Sequence, residues 1–172
     1  MSSLNKSSFL RIFLSYLPIT MLFFSVFNEF DFNYLKLDYF AFNFVHLLIF
    51  FWTLRNPDQL GYLAIFFAGI INDVVMGIPL GLSSLSYLVV SLVSTYVKNM
   101  TVNTSITTDW FTFFIAIMFS NLTFLILASN FSQLSIQIID VSYNTFFTLI
   151  FFPFFWFIFN FYNNLIYQGG NV

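Results

Sequence analysis

The chain has 172 residues, of which 59% are apolar and only 7% charged, with a mean hydropathy of +0.87. A soluble domain carries roughly 25% charged residues so that its surface can face water, and this composition therefore predicts an integral membrane protein. The net charge of −2 supplies no basic surface for nucleic acid, and the lack of cysteine removes disulfides, thiolate metal sites and cysteine nucleophiles together.

A bilayer-spanning helix needs about 20 mostly apolar residues, with shorter spans tolerated where the bilayer thins or flanking residues snorkel. Residues 1–11 carry Lys6 and Arg11 ahead of an apolar run, as a signal peptide does. However, Asn28-Glu29-Phe30-Asp31 follows where a small-x-small cleavage site would stand, which predicts a retained first helix over 9–27. Further spans are predicted over 37–54, 61–75, 82–97, 110–128 and 141–161. The third and fourth are short and separated only by Gly77 to Gly81, so they form a hairpin. The longest connection, 98–109, is too short to fold alone. The expectation is an all-α membrane protein, a single domain of about six transmembrane helices in one compact bundle.

The side carrying more Lys and Arg faces the cytoplasm. With the N-terminus inside, Lys6, Arg11, Arg55 and Lys98 are cytoplasmic and only Lys36 is outside; six spans return the C-terminus to the cytoplasm. Trp52, Tyr62, Tyr96, Trp110 and Tyr162 then fall near inner ends, and Tyr34, Tyr39 and Tyr143 near outer ends, as interfacial anchors. The 29 phenylalanines are spread evenly and are expected chiefly at lipid-facing positions, the alternative being an aromatic-lined ligand pocket.

Polar and small residues mark the helix faces. Gly61, Ala64, Ala68, Gly69, Asn72 and Asp73 share one side of the third span, and Ser84, Tyr87, Ser91 and Ser94 one side of the fourth. Tyr39, Asn43 and His46 share one side of the second. Small residues let membrane helices approach closely, while each interhelical polar contact contributes about 0.6–2 kcal/mol. These stripes point to helix packing more than to chemistry.

Asp73 is the residue to explain, because a carboxylate near hydrocarbon is costly without a partner. Three readings are open. It could relay a proton or cation, with His46 as the other titratable group at membrane depth. It could be structural, accepting hydrogen bonds from the following turn or from Ser83 and Ser84, which also suit the N-cap of the next helix. It could dock a basic residue of a partner near the outer surface. His46, the single histidine, reads as a hydrogen-bonded interhelical residue, since no carboxylate or cysteine lies at ligand spacing. Nucleophile–base sets, His-Glu-x-x-His, paired intramembrane carboxylates and glycine-rich phosphate loops are all missing, which argues against an enzyme. No cofactor is implied.

One stretch carries a resemblance. The residues are Phe51-Trp52-Thr53-Leu54-Arg55-Asn56-Pro57, then Gly61, then Gly69-x-x-x-Asp73-x-x-x-Gly77-x-Pro79-Leu80-Gly81, then Ser84-Leu85-x-Tyr87. From Phe51 to Leu92 the chain resembles MreD, the membrane subunit of the bacterial rod-shape machinery. Pro153 in the last span also matches, while Leu37 before Asp38 and Asn72 depart from the pattern. The resemblance implies a non-catalytic scaffold in the bacterial inner membrane. Such proteins pair with MreC, whose periplasmic part engages the cell-wall synthases, while the actin-like MreB polymerises on the cytoplasmic side. It makes Gly69, Asn72, Asp73, Gly77, Pro79, Leu80, Gly81 and Ser84 the interaction or structural motif, with His46 a second polar candidate.

The family is similar in fold to substrate-binding subunits of energy-coupling-factor transporters, so a small-molecule-binding transporter subunit is the rival expectation. Such subunits carry a small-residue stripe on their first helix, where this chain has the bulky Arg11-Ile-Phe-Leu-Ser-Tyr-Leu-Pro-Ile-Thr-Met-Leu. A pocket with convergent polar groups would favour the rival. A proton-coupled channel, the third option, requires Asp73 and His46 to meet across one cavity.

Overall fold

A computed structural model describes residues 16–27, 42–100, 105–131 and 138–167. All regular structure among them is helical: α1 (Leu17–Phe27), α2 (Phe44–Arg55), the single turn α3 (Pro57–Leu60), α4 (Tyr62–Met76), α5 (Leu82–Met100), α6 (Ile106–Ala128) and α7 (Ile138–Tyr167). Six of these follow the order of the six predicted spans. The predicted starts at 9 and 37 lie outside the described residues. α6 begins four residues before its predicted span, and α7 extends beyond its span at both ends. Two segments, Ile106–Ala128 and Ile138–Asn164, are long and apolar enough to cross a membrane, whereas α1, α2 and α4 are apolar but shorter.

The centre of the bundle is α5, which packs against α4 and α6 most extensively and against α2 next. Its serines explain why. Ser84, Ser91 and Ser94 are fully buried, and Ser83, Ser86 and Tyr87 nearly so. Small side chains let three neighbouring helices reach one backbone, and a buried hydroxyl can be satisfied by its own helix, as where Ser94 Oγ donates to Val90 O at 2.7 Å, although Ser91 Oγ is buried without a hydrogen-bond partner. Ser84 also donates across the interface, to the Phe66 carbonyl of α4 at 3.1 Å.

On the other side of α2, aromatic rings fill the space. Phe50, Phe51 and Phe113 are fully buried, with Trp52, Phe152 and Phe159 close to it. Phe113 stacks on Phe152 at 4.8 Å, Phe50 meets Phe113 edge-on at 5.1 Å, and Trp52 meets Phe159 edge-on at 4.6 Å. Such pairs contribute about 0.5–1.5 kcal/mol beyond the area they bury. Exposed phenylalanines outnumber buried ones among the described residues, in line with the expectation of chiefly lipid-facing positions. Phe24, Phe67, Phe154 and Phe161 do lie exposed, but a second set makes the α2–α6–α7 interior. Trp52 is likewise an interior residue and no interfacial anchor, while Tyr62, Tyr96, Trp110 and Tyr143 remain exposed.

Two polar devices fasten the end of the bundle where α2 and α5 finish. Asp109, almost fully buried at the start of α6, accepts from Arg55 Nη2 at 3.3 Å and from Trp156 Nε1 at 2.8 Å, both on one carboxylate oxygen. The Arg55 guanidinium lies over the rings of Phe51 and Trp156, and Lys98 Nζ donates to the Arg55 carbonyl at 3.4 Å. Four helices meet there. The second device follows from Pro153 inside α7. Proline has no N–H, so the carbonyl four residues earlier, that of Leu149, loses its helical donor. The indole Nε1 of Trp110 on α6 donates to this carbonyl at 3.0 Å.

Trp110→Phe is expected to cost about 1 kcal/mol, the ordinary net value of a hydrogen bond. In a Pro153→Ala background, where residue 153 regains the N–H that satisfies Leu149, the same change should cost clearly less. Detergent-solubilised protein unfolded with increasing SDS measures both sides of this cycle, and equal costs in the two backgrounds would break the link.

Candidate functional site

The motif from Gly69 to Tyr87 folds as a latched hairpin. Helix α4 ends where Gly77 turns into the left-handed region (φ 65, ψ 28). The Ile78 N–H then reaches back to the Asp73 carbonyl at 3.0 Å, and the Gly77 N–H to the Val74 carbonyl at 3.3 Å. This is the doubly bonded C-terminal closure that glycine permits without strain. Four residues on, Gly81 also takes a positive φ of 104, and α5 begins at Leu82. Between the two glycines, Pro79 is half-buried and Leu80 stands exposed at the tip.

The Asp73 side chain closes the turn from the other side. Its Oδ2 accepts the Gly81 N–H at 2.6 Å and its Oδ1 the Ser83 N–H at 2.9 Å. These are two of the donors that every helix start leaves unpartnered, and a carboxylate there also faces the positive end of the α5 dipole. Asp73 thus ends one helix with its carbonyl and caps the next with its side chain. The residue is fully buried, so neither carboxylate oxygen faces the outside of the protein. Ser83 and Ser84 do not cap α5 with their side chains as the sequence suggested, because Asp73 occupies that role. Instead Ser83 Oγ accepts from Asn72 Nδ2 at 2.9 Å, and Ser84 Oγ goes to Phe66. Gly69 sits one turn below, where a Cβ would collide with the backbone of Ser84. The α4 and α5 backbones pack in contact there.

His46 belongs to a different cluster. Its backbone N–H is capped by Asn43 Oδ1 at 3.2 Å, and its Nε2 lies 2.8 Å from Ser120 Oγ on α6. Ser120 in turn sits 2.6 Å from Ser86 Oγ on α5, and its hydroxyl also reaches the Ser86 carbonyl at 3.0 Å. The imidazole meets the Tyr87 ring edge-on at 5.2 Å, and its Nδ1 is buried without a hydrogen-bond partner. Three helices are tied by this chain of small polar groups.

Above the cluster lies a cavity of about 420 Å³, reached by Asn43 and His46 from α2, Asn72 from α4, Ser83, Ser86 and Tyr87 from α5, Asn121 from α6 and Asp140 and Asn144 from α7. Asp73 does not line it. The two titratable groups proposed for a channel therefore do not face one another across this space. No group of three His, Asp or Glu side chains among the described residues is placed to hold a metal ion.

Sequence reading missed Asp109, the asparagine lining and the Trp110–Leu149 bond. For Asp109 a signal existed. An acid opening α6 and a base closing α2 suit the two helix dipoles and meet when those ends are adjacent, but in the sequence Arg55 reads only as an orientation marker and as part of the MreD-like motif. A scan against protein-family models, a search of curated proteins and a search of solved structures each found no match to the chain.

Replacing Asp73 with Ala strands the buried Ser83 N–H and the part-buried Gly81 N–H and should cost about 2–4 kcal/mol. Asp73→Asn keeps one acceptor oxygen and should recover about half of that loss. Gly69→Val should cost about 1–3 kcal/mol by forcing α4 from α5. Unfolding in SDS-containing micelles reads all three, and a fully stable Asp73→Ala chain would contradict the latch.

Proposed function

We propose that the chain is a non-catalytic, multi-pass scaffold subunit of the bacterial cell-elongation complex, seated in the cytoplasmic membrane and linking MreC and the peptidoglycan synthases to MreB. The observation that carries this reading is how the motif's most unusual residue is used. Both oxygens of Asp73 are bound to backbone N–H groups, which leaves the carboxylate as a structural acceptor and favours an assembly role over proton or cation relay. The remaining motif residues have matching jobs: Gly77 and Gly81 at positive φ, Gly69 at the helix contact and Ser84 across the interface. Together they make a rigid two-helix element with Leu80 exposed at its tip. The resemblance to MreD over Phe51 to Leu92 supplies the complex.

In this reading six helices span the bilayer, and the short ones are accommodated by local thinning and by their neighbours. The Arg55–Lys98 end faces the cytoplasm, as the excess of basic residues on that side predicts. The Asp73 hairpin then faces the periplasm, on the side of the MreC domain that engages the synthases.

A second reading, a small-molecule-binding subunit of an energy-coupling-factor-type transporter, is favoured by one observation, the polar cavity beside the hairpin. The first described helix weighs against it, since Leu17–Phe27 reads LPITMLFFSVF and offers no small-residue stripe for a motor subunit.

Copurification separates the two. The tagged full chain is expected to bring down MreC, with several-fold less recovered from Asp73→Ala at equal membrane levels, and cells carrying that variant should round up. Normal MreC recovery and rod shape in Asp73→Ala would overturn the scaffold reading, and recovery of ATP-hydrolysing motor subunits in place of MreC would establish the second.

A further inference from the structure

The cavity has a chemistry that the scaffold role does not use. Four asparagines line it, each from a different helix or helix start, and each has one end of its carboxamide held by the protein. Asn43 Oδ1 accepts from the His46 N–H at 3.2 Å, and the Asn144 carboxamide lies 3.3 Å from Thr148 Oγ1, whose proton goes to the Asn144 backbone carbonyl at 2.6 Å. Asn72 Nδ2 donates to Ser83 Oγ at 2.9 Å, and Asn121 Nδ2 donates to Thr145 Oγ1 at 2.6 Å. The partners orient two of the amides. Thr145 already donates its own proton to the Val141 carbonyl and can only accept from Asn121, while a backbone N–H can only donate to Asn43.

Among the described residues, the Asn43 NH2, a donor, and the Asn121 carbonyl oxygen, an acceptor, are left without a protein hydrogen bond, while Asn72 and Asn144, beside hydroxyls, can turn either end of the amide to the cavity. A fixed donor, a fixed acceptor and two amides that can present either end suit groups that both give and take hydrogen bonds. Hydroxyls do this, and carboxylates and phosphates do not. Charge points the same way, since among the described residues the lining contains Asp140 and no Lys or Arg, so an anion would find acceptors and an acid where it needs cations. Tyr87 and Phe124 add aromatic surface against which the C–H face of a ring can lie. Small-ligand sites combine this kind of concavity with a few convergent polar groups.

We propose that this cavity binds a small polyhydroxylated molecule of monosaccharide size, either uncharged or carrying an amine. The amine, where present, faces Asp140, the exposed carboxylate at the margin of the cavity. The proposal goes beyond the scaffold reading and is independent of which complex the chain joins, since it rests on the lining alone.

Titration calorimetry on the full chain, purified in a detergent without a sugar headgroup, tests this with glucosamine, glucose and gluconate as probes. All three carry several hydroxyls and they differ in charge, glucosamine having an ammonium in place of the 2-hydroxyl and gluconate being the open-chain C1 carboxylate. The expected order is glucosamine tightest, glucose weaker and gluconate without measurable heat at about 10 mM. Asp140→Asn, at an exposed position, should abolish the preference for glucosamine and leave glucose binding in place. Asn121→Leu should weaken glucose at least about tenfold, a loss of about 1.4 kcal/mol. Gluconate binding as tightly as glucosamine, an unchanged titration in Asn121→Leu with Asp140→Asn also silent, or no heat from any probe would each overturn the proposal. MreC recovery by the same preparations reads the scaffold role separately, so failure of one does not imply failure of the other.

Discussion

A carboxylate that serves two helix ends at once sets the geometry of this protein. Helix termini leave N–H and C=O groups unpaired, and in apolar surroundings each such group costs several kcal/mol. Asp73 settles part of that cost on both sides of one turn, its carbonyl closing α4 through Ile78 and its side chain receiving the Gly81 and Ser83 N–H groups that open α5. Since both bonds originate in one residue, the two helices cannot slide or splay without breaking one of them. Gly69 then lies against the Ser84 backbone because the latch holds the helices at that separation. With α4 and α5 fixed, α5 can present its other faces to α2 and α6.

The rest of the bundle follows a similar economy. Where α4, α5 and α6 sit closest, small polar residues connect them, Ser84 to Phe66 and Ser120 to Ser86, and His46 joins α2 to the same cluster. Where they stand farther apart, between α2, α6 and α7, phenylalanine and tryptophan rings fill the gap. The far end is closed by a buried acid shared between Arg55 and Trp156, and by an indole that takes up the carbonyl released by Pro153. The two ends differ in one functional respect. The Arg55 end is closed by side chains packed into one another, whereas the Asp73 end opens onto a cavity lined by half-satisfied amides.

Much of the architecture was legible from residue order. Apolar runs and their breaks placed the helices in sequence, and the Gly77-to-Gly81 spacing identified the tight turn. The small-residue face of 61–75 and the serine stripe of 82–97 were recognised as packing surfaces, and Ala68, Gly69, Asp73, Ser84, Ser91 and Ser94 are buried. Phenylalanine was less legible, because one side chain suits lipid and interior equally and only the neighbours decide which it meets. Asn121 and Asn144 carried no local signal at all. Their chemistry depends on Thr145 and Thr148, and on helices brought together from distant parts of the chain.

By itself the sequence determined the helical class, the order of the elements, the hairpin and the identity of Asp73 as the residue to explain, because periodicity, glycine and an isolated acid are local properties. Tertiary structure decided what that acid does. Relay, docking and capping all require a carboxylate at the same position, and they differ only in which atoms lie within about 3 Å of it. Those atoms proved to be two backbone N–H groups from the next helix. The cavity was decided in the same way, since a binding site of this kind is a relation among five helices and is carried by no single one of them.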